Sequence, residues 1–249
     1  MRILAILVCI RPLPVYRDAM NLLEDHFPKS VHVVLPVIHV ETLDQTLRNA
    51  AIARTAGCDG VFLIDHFISR GELLQIARAV RAEFPDWWIG VNCLGVEPEA
   101  VVAEVEPDIS GIWVDNAKID EHSATQPAVQ KFLQARENRK WKGLYFGGVA
   151  FKYQRPVADL ETAARIAAQF IDVVTTSGPG TGQSASREKI AAMKRGMGDA
   201  PLAIASGITP ENVADYLGLA TCFLVATGIS SSFSELEPSR VKDLMAAVR

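Results

Sequence analysis

The chain has 249 residues, 49% of them hydrophobic and 7% aromatic, with a formal net charge of −4. That length can bury one large core, and the acidic balance excludes a non-specific nucleic-acid binder. A small anionic ligand stays compatible, because it answers to local donors rather than to overall charge.

An apolar half with few aromatics suits Val, Ile, Leu and Ala strands covered by Ala-rich helices. The four cysteines, Cys9, Cys58, Cys93 and Cys222, are scattered and form no Cys-x-x-Cys pair. Buried free thiols in a reducing compartment are therefore expected, rather than disulfides or a zinc site. Residues 1–10 are apolar but too short to span a bilayer, and no small-residue cleavage site follows them. The expectation is a cytoplasmic protein with no membrane span.

In chain order, 3–10 reads as a strand or packed lead-in, broken by Pro12 and Pro14. A helix over 16–27 follows, with Ala19, Leu22, Leu23 and Phe27 on one face. This opening segment, 1–30, could close the bottom of a barrel. A regular alternation then begins. Strand 33–40 leads to helix 42–56, ended by Gly57. Strand 60–64 leads to helix 71–84, stopped by Pro85. Strand 88–93 leads to helix 98–105, stopped by Pro107. Strand 111–114 precedes a helix within 124–138, strand 142–149 a helix over 157–169, and strand 171–176 a helix over 186–195.

The stretch 202–232 supplies the last two strands as short apolar runs ending in Ser206-Gly207 and Thr227-Gly228. After the first run, Thr209 as N-cap, Pro210 at N1 and Asn212 at N3 predict a helix over 210–219. The final helix is expected over 237–248. An open, doubly wound sheet shows the same alternation, but eight units and two glycine turns at the end favour a closed barrel. The predicted fold is a single (β/α)8 TIM-barrel domain over 1–249, with the barrel proper over 33–249 and an N-terminal extension before it.

In such a barrel the site lies where strands end and the following loops begin. Those positions hold His39 and Glu41, Asp65 and His66, Asn92, Asp115 and Asn116, Lys152, and the run from Thr176 through Ser177 and Gly178 to Gly182. Asp65 could cap the next helix, bind Arg70, or serve as an acid or base. Asp115-Asn116 suits a plain turn as well as a site. Lys152 at a barrel rim could act as a Schiff-base amine, a proton donor or a phosphate partner. His39 and His66 could chelate a metal with Asp65 and Asp115, but no His-x-His pair or Glu-x-x-His is present, so no metal site is assigned. A divalent cation that assists the ligand stays open, and no other cofactor is called for. Ser206, Gly207, Thr227 and Gly228 are expected to grip a phosphate, since glycine turns after strands expose backbone N–H groups and small hydroxyls add donors.

An ordered set of segments over 33–232 resembles the BtpA family, named for a protein linked to photosystem I biogenesis, within the phosphate-binding TIM barrels. The set comprises Pro36-Val37-Ile38-His39, Gly57-Cys58-Asp59-Gly60-Val61 leading to Asp65-His66-Phe67, Gly90-Val91-Asn92-Cys93-Leu94 and the run 110–114. It continues with Phe151-Lys152-Tyr153, the run 172–182, the run 206–213 and Thr227-Gly228. The chain departs from the family pattern in four places. His39 runs straight into Val40-Glu41-Thr42 where the family has Leu-Pro-Gly. Asp65-His66 replaces Glu-Asn, Lys152-Tyr153 replaces Lys-His, and Ser230-Ser231-Ser232 replaces a basic residue. The resemblance implies the fold and phosphate-type binding in a divergent member, not the photosystem connection.

Three functional readings follow. The first is an enzyme acting on a small phosphorylated sugar or ribosyl compound, with Asp65, Asp115 and Lys152 catalytic and His39, His66, Asn92, Thr176, Ser177, Gly178 and Gly182 holding the substrate. The second rests on 171–182, which faintly resembles the diphosphoribose loop of purine phosphoribosyltransferases such as adenine phosphoribosyltransferase. That loop has two adjacent acids at the end of its strand, whereas this chain has one, Asp172, at the start. The third is a non-catalytic ligand-binding or assembly factor. A homo-oligomer is expected in each case, with Trp87-Trp88 as suited to core as to contact.

Overall fold

The computed structural model describes residues 19–249. The expected strand 3–10, Cys9 and the first residues of the helix expected over 16–27 lie outside them. The described part of that helix is α1 (Ala19–His26).

Eight parallel strands close into one barrel in sequence order. They are β1 (Val33–His39), β2 (Gly60–Ile64), β3 (Trp88–Asn92), β4 (Gly111–Val114), β5 (Leu144–Gly148), β6 (Val173–Thr176), β7 (Leu202–Ile204) and β8 (Cys222–Val225). Closure comes from β1, which pairs with β2 on one side and with β8 on the other. The covering helices are α2 (Leu43–Thr55), α3 (Arg70–Glu83), α4 (Pro98–Glu104), α5 (Pro127–Arg139), α6 (Leu160–Ala167), α7 (Arg187–Met197) and α8 (Pro238–Val248). The fold is thus a (β/α)8 TIM barrel.

The sequence starts these helices by local chemistry. Thr42, Ser69, Asp159 and Ser186 each accept a hydrogen bond from a first-turn amide, and Ser69 with Glu72 forms a complete capping box. Pro98, Pro127 and Pro238 open three more helices, where a missing N–H costs nothing.

The segment after β7 differs from expectation. In place of a helix over 210–219 there is one 3₁₀ turn, Val213–Tyr216. Asn212 explains it: Oδ1 accepts from the Thr209 N–H at 2.9 Å, while Nδ2 donates to Gly207 O at 2.8 Å. A side chain so engaged competes with the helix backbone and folds the segment back onto its own strand.

Alternate residues of every strand face opposite layers. Val33, Leu35 and Val37, Phe62 and Ile64, Trp88, Trp113, Leu144 and Phe146, Val173, Ala203, Cys222 and Leu224 fill the barrel interior. Their neighbours Val34, Ile38, Val61, Leu63, Ile89, Val91, Ile112, Tyr145 and Phe223 pack beneath the helices. Large interior rings face small residues: a Cβ on Gly90 would lie 2.4 Å from the Phe62 ring, so only hydrogen fits there. Each fully buried ring of this kind stabilises by about 1.5–3 kcal/mol.

The bottom of the barrel is closed from α1. Leu23 and Phe27 join the interior cluster, and the Phe27 ring lies 5.5 Å from that of Trp88. Trp87 and Trp88 are both buried, so this pair belongs to the core and not to a contact surface. At the same end, Asp172 accepts from Arg136 Nη1 at 2.8 Å and from the Tyr145 N–H at 2.7 Å.

Cys58, Cys93 and Cys222 are free and buried. Burial pushes the Cys58 and Cys93 thiols up to about 12, which leaves them inert at neutral pH. No helix among the described residues is long and apolar enough to cross a membrane.

Candidate functional site

The inward row of each strand continues past its end. Val37, Ile64 and Trp113 face the interior, so His39, His66 and Asp115, two residues further on, face the same way at the C-terminal mouth. They line a cavity of 230 Å³ together with Lys152, Tyr153, Thr181, Gly182 and the turns 206–208 and 226–228. Val37, Ile64, Trp113 and Leu224 form its apolar base. The Trp113 Nε1–H is buried there without an acceptor among the described residues.

The turns after β7 and β8 touch backbone to backbone. A Cβ on Gly228 would sit 1.9 Å from Ile208 O, and one on Gly207 would sit 2.2 Å from Ser184 N. Gly207 also has φ +67°, a conformation that side chains other than hydrogen resist. Close approach thus needs glycine at both positions. Among the described residues, the N–H groups of Gly207, Ile208, Thr227 and Gly228 have no acceptor within the protein. Thr227 and Gly228 belong to the 3₁₀ turn Thr227–Ile229, whose first amides have no partner inside the turn. Backbone donors of this kind, gathered beside a cavity, suit an oxyanion.

The serine before the first glycine is engaged elsewhere. Ser206 Oγ bonds Gly180 O at 2.9 Å and Gln183 O at 3.0 Å, tying the β6 loop to the β7 turn. Ser206 therefore shapes the turn after β7, while the open donors around it are amides.

Lys152 reaches the cavity from the loop after β5. Its backbone N–H donates to Ser177 Oγ at 2.7 Å, and its Nζ lies 3.3 Å from Thr181 Oγ1. The loop holds two residues at positive φ, Ala150 at 49° and Tyr153 at 61°, conformations that the surroundings must enforce. Lys189 supplies part of that enforcement, because its Nζ donates to Ser177 O at 2.6 Å and to Ala150 O. Burial lowers the Lys189 ammonium to about 8.

On the opposite wall, Asp115 Oδ1 accepts from Asn92 Nδ2 at 3.1 Å. Burial holds the Asp115 carboxyl above its ordinary range, against the opposing pull of Asn92, Lys152 and His66. Burial also lowers His66, with Asp115 and Asp65 opposing. The sign for stability follows. The folded chain holds the Asp115 proton over a window that starts at the ordinary value of 3.8, so stability declines as pH rises through that window. Asp115→Asn removes the decline. Melting curves from pH 3 to pH 7 should show the variant gaining on the wild type toward neutral pH, and parallel curves would contradict the burial argument.

Five residues expected in the site do not line the cavity. Asp65 precedes His66 and belongs to the outward row; its Oδ1 accepts from the Leu94 N–H at 2.7 Å and shapes the β3 loop. Thr176 is fully buried with its hydroxyl toward Ala150 O. Ser177 is buried and positions Lys152. Gly178 packs against Gln183, where a Cβ would meet Gln183 O at 2.0 Å. Asn92, 1% exposed, stands behind Asp115 and orients it.

Thr181, inside the run 176–182 expected at the site, lines the cavity, and Phe233 does so without having been singled out from the sequence. Phe233 stacks on His39 with ring centroids 4.0 Å apart, and Thr181 joins Lys152 to Tyr153. Phe233 does not lie at the end of a strand, and nothing local marks it. Among the described residues, no group of three or more His, Cys, Asp or Glu side chains could hold a metal ion.

No protein-family model matches the chain, and no curated protein matches it. Solved structures do. Phosphoribosyl anthranilate isomerase from Thermus thermophilus is 15% identical with a TM-score of 0.61, over 86% of this chain and 97% of that one. Tryptophan synthase from Mycobacterium tuberculosis is 12% identical with a TM-score of 0.66, over 93% and 98%. (S)-3-O-geranylgeranylglyceryl phosphate synthase from Thermoplasma acidophilum, in complex with its substrate sn-glycerol-1-phosphate, is 16% identical with a TM-score of 0.61, over 92% and 97%. At these identities the likeness is one of fold.

Proposed function

We propose that the protein is an enzyme acting on a small phosphorylated sugar or ribosyl compound. The phosphate rests on the amides of Gly207, Ile208, Thr227 and Gly228, and the reacting end meets Asp115 and Lys152. One observation carries the reading: two glycine turns in backbone contact, with unclaimed N–H groups, open on the same cavity as a carboxyl and an ammonium. The names of the structural neighbours, two of which specify phosphoribosyl anthranilate and a glyceryl phosphate, agree with that ligand class. The ordered segments that resemble the BtpA family support the same assignment, with Lys152 kept and some flanking residues changed.

The chemistry follows from the two ends of the cavity. A phosphate held by fixed donors supplies binding energy remote from the reacting bond and orients the far end of the substrate. There Lys152 can meet developing negative charge, and Asp115, held above its usual range by burial, can give or take a proton nearer neutral pH. Isomerisation and aldol-type cleavage both use this pair. Phosphoribosyl transfer draws no support from Asp172, which is bonded to Arg136 at the other end of β6.

Thermal-shift titration with inorganic phosphate and ribose 5-phosphate, followed by turnover assays across phosphosugars and phosphoribosyl donors, tests the proposal. Phosphate compounds should raise the melting temperature. Lys152→Met should then reduce turnover by about 10²–10⁴-fold while the phosphate-induced shift persists. A retained shift with no turnover on any compound would instead make the protein a ligand-binding factor.

A further inference from the structure

The loop after β8 crosses the cavity mouth as a strap, 230–236, pinned at its ends by an antiparallel bridge between Ser230 and Leu236. Its path is set from α2. Gln45 Nε2 donates to Ser234 O at 2.6 Å and Asn49 Nδ2 donates to the same carbonyl at 2.8 Å. Asn49 Oδ1 accepts from the Leu236 N–H at 2.9 Å. Both amides are buried, Gln45 at 3% exposure and Asn49 at 0%. Asn49 uses both ends of its buried amide on the strap, so an open strap would leave it unpaired. Gln45 Nε2 also donates to His39 O at 3.2 Å and ties the strap to the backbone of that histidine.

What the strap delivers is Phe233. Its ring stacks on His39, and its carbonyl oxygen lies 2.6 Å from His39 Nδ1. A carbonyl only accepts, so Nδ1 carries the hydrogen of that bond. An imidazole with its one hydrogen on Nδ1 keeps a lone pair on Nε2. His39 lines the cavity and is 8% exposed. Burial lowers its pKa, and the neighbouring charges of His66 and Lys152 act in the same direction, against the Phe233 carbonyl. The groups that face it are His66, edge-on with centroids 4.9 Å apart, and Lys152; Asp115 acts on His66.

We propose that His39 is the proton acceptor of the cavity, an Nδ1–H tautomer held by the strap carbonyl of Phe233 that offers Nε2 to the substrate. Asn49 is a positioning residue that acts through the strap, and Gln45 one that acts through the strap and through its bond to His39 O. In the step this permits, Nε2 takes a proton from a substrate O–H or C–H bond. The bonding pair stays on the substrate, beside the Lys152 ammonium. The imidazolium that forms keeps its Nδ1–H bond to Phe233 O, now strengthened by charge. This inference rests on the proposed enzymatic use of the cavity, but its test needs no ligand.

Long-range ¹⁵N–¹H correlation spectra of the ¹⁵N-labelled full chain, assigned with His39→Gln, read the tautomer directly. At pH 7 and without ligand, the Nδ1–H form should exceed the Nε2–H form by at least about tenfold, the value of one hydrogen bond. Asn49→Ala should loosen the strap and shift the ring toward the Nε2–H form. An Nε2–H or doubly protonated His39 in the wild type overturns the proposal. An unchanged tautomer in folded Asn49→Ala overturns the positioning role of the strap. Should Asn49→Ala fail to fold, Phe233→Gly, at a half-exposed position, frees the strap from the His39 ring and gives the same readout. Phosphate binding at the glycine turns is a separate measurement, so this proposal and the phosphate assignment can fail independently.

Discussion

Gly228→Ala should weaken phosphate binding by at least about tenfold. The added Cβ would stand 1.9 Å from Ile208 O, and the atom it meets is backbone, not the far end of a flexible side chain. The turns after β7 and β8 would have to separate, and the amides of Gly207 and Ile208 would no longer converge with those of Thr227 and Gly228. Overpacking of this kind costs about 1–3 kcal/mol of stability. The larger consequence is for affinity, because an anion held by several short bonds loses them together. Titration calorimetry with inorganic phosphate should show binding weakened by at least about tenfold, equivalent to 1.4 kcal/mol. Gly218→Ala is the matched control. A Cβ there meets nothing within 4 Å, so it should leave both stability and binding as they are. Full phosphate affinity in Gly228→Ala would mean that the turns are not the anion site.

Asp172→Ala should give the largest loss of stability. Asp172 is 2% exposed, pairs with Arg136, whose side chain is 17% exposed, and accepts the Tyr145 N–H. Removing it strands a guanidinium that retains Gly143 O as a partner, and it leaves the Tyr145 amide without its acceptor. Breaking such a pair by deleting one member costs about 3–5 kcal/mol. In a chain of this size that lowers the melting temperature by on the order of 10 °C. Urea denaturation should show the loss, with phosphate affinity of the surviving folded protein unchanged. The opposite pattern, intact stability with lost affinity for phosphoribosyl donors, would return Asp172 to a ligand loop.

The contrast between Asp65 and His66 shows what the sequence could and could not convey. The alternation of eight strands and helices is written in local signals: caps at Thr42, Ser69 and Ser186, prolines opening α4, α5 and α8, and apolar runs of strand length. The two glycine turns are local as well, which is why their place beside the cavity could be read from the sequence. Which of two adjacent polar residues enters the barrel depends on pleat and register, and a shift of one residue reverses it. Asp65 and His66 therefore looked equivalent in sequence and face opposite ways in the fold. The hydroxyls of Ser177 and Ser206 looked like ligand donors because their partners, Lys152 N and the carbonyls of 180 and 183, come from other parts of the chain. Phe233 escaped notice for the same reason, since its position depends on α2, far away in sequence.

The helix over 210–219 failed differently. Thr209, Pro210 and Asn212 form a sound start signal, and Thr209 Oγ1 does accept from the Glu211 N–H at 3.2 Å. Asn212, however, bonds back to Thr209 and Gly207 and leaves room for a single turn only. The bond that shortens this helix also braces the turn after β7.

Two-dimensional ¹⁵N–¹H spectra of the wild-type chain during a titration with inorganic phosphate test the central assignment most directly. The amides of Gly207, Ile208, Thr227 and Gly228 should shift together along one saturating curve, with Lys152 and Asp115 following as the cavity fills. Shifts confined to other parts of the surface, or only one of the two turns responding, would contradict a shared anion site at the mouth of the barrel.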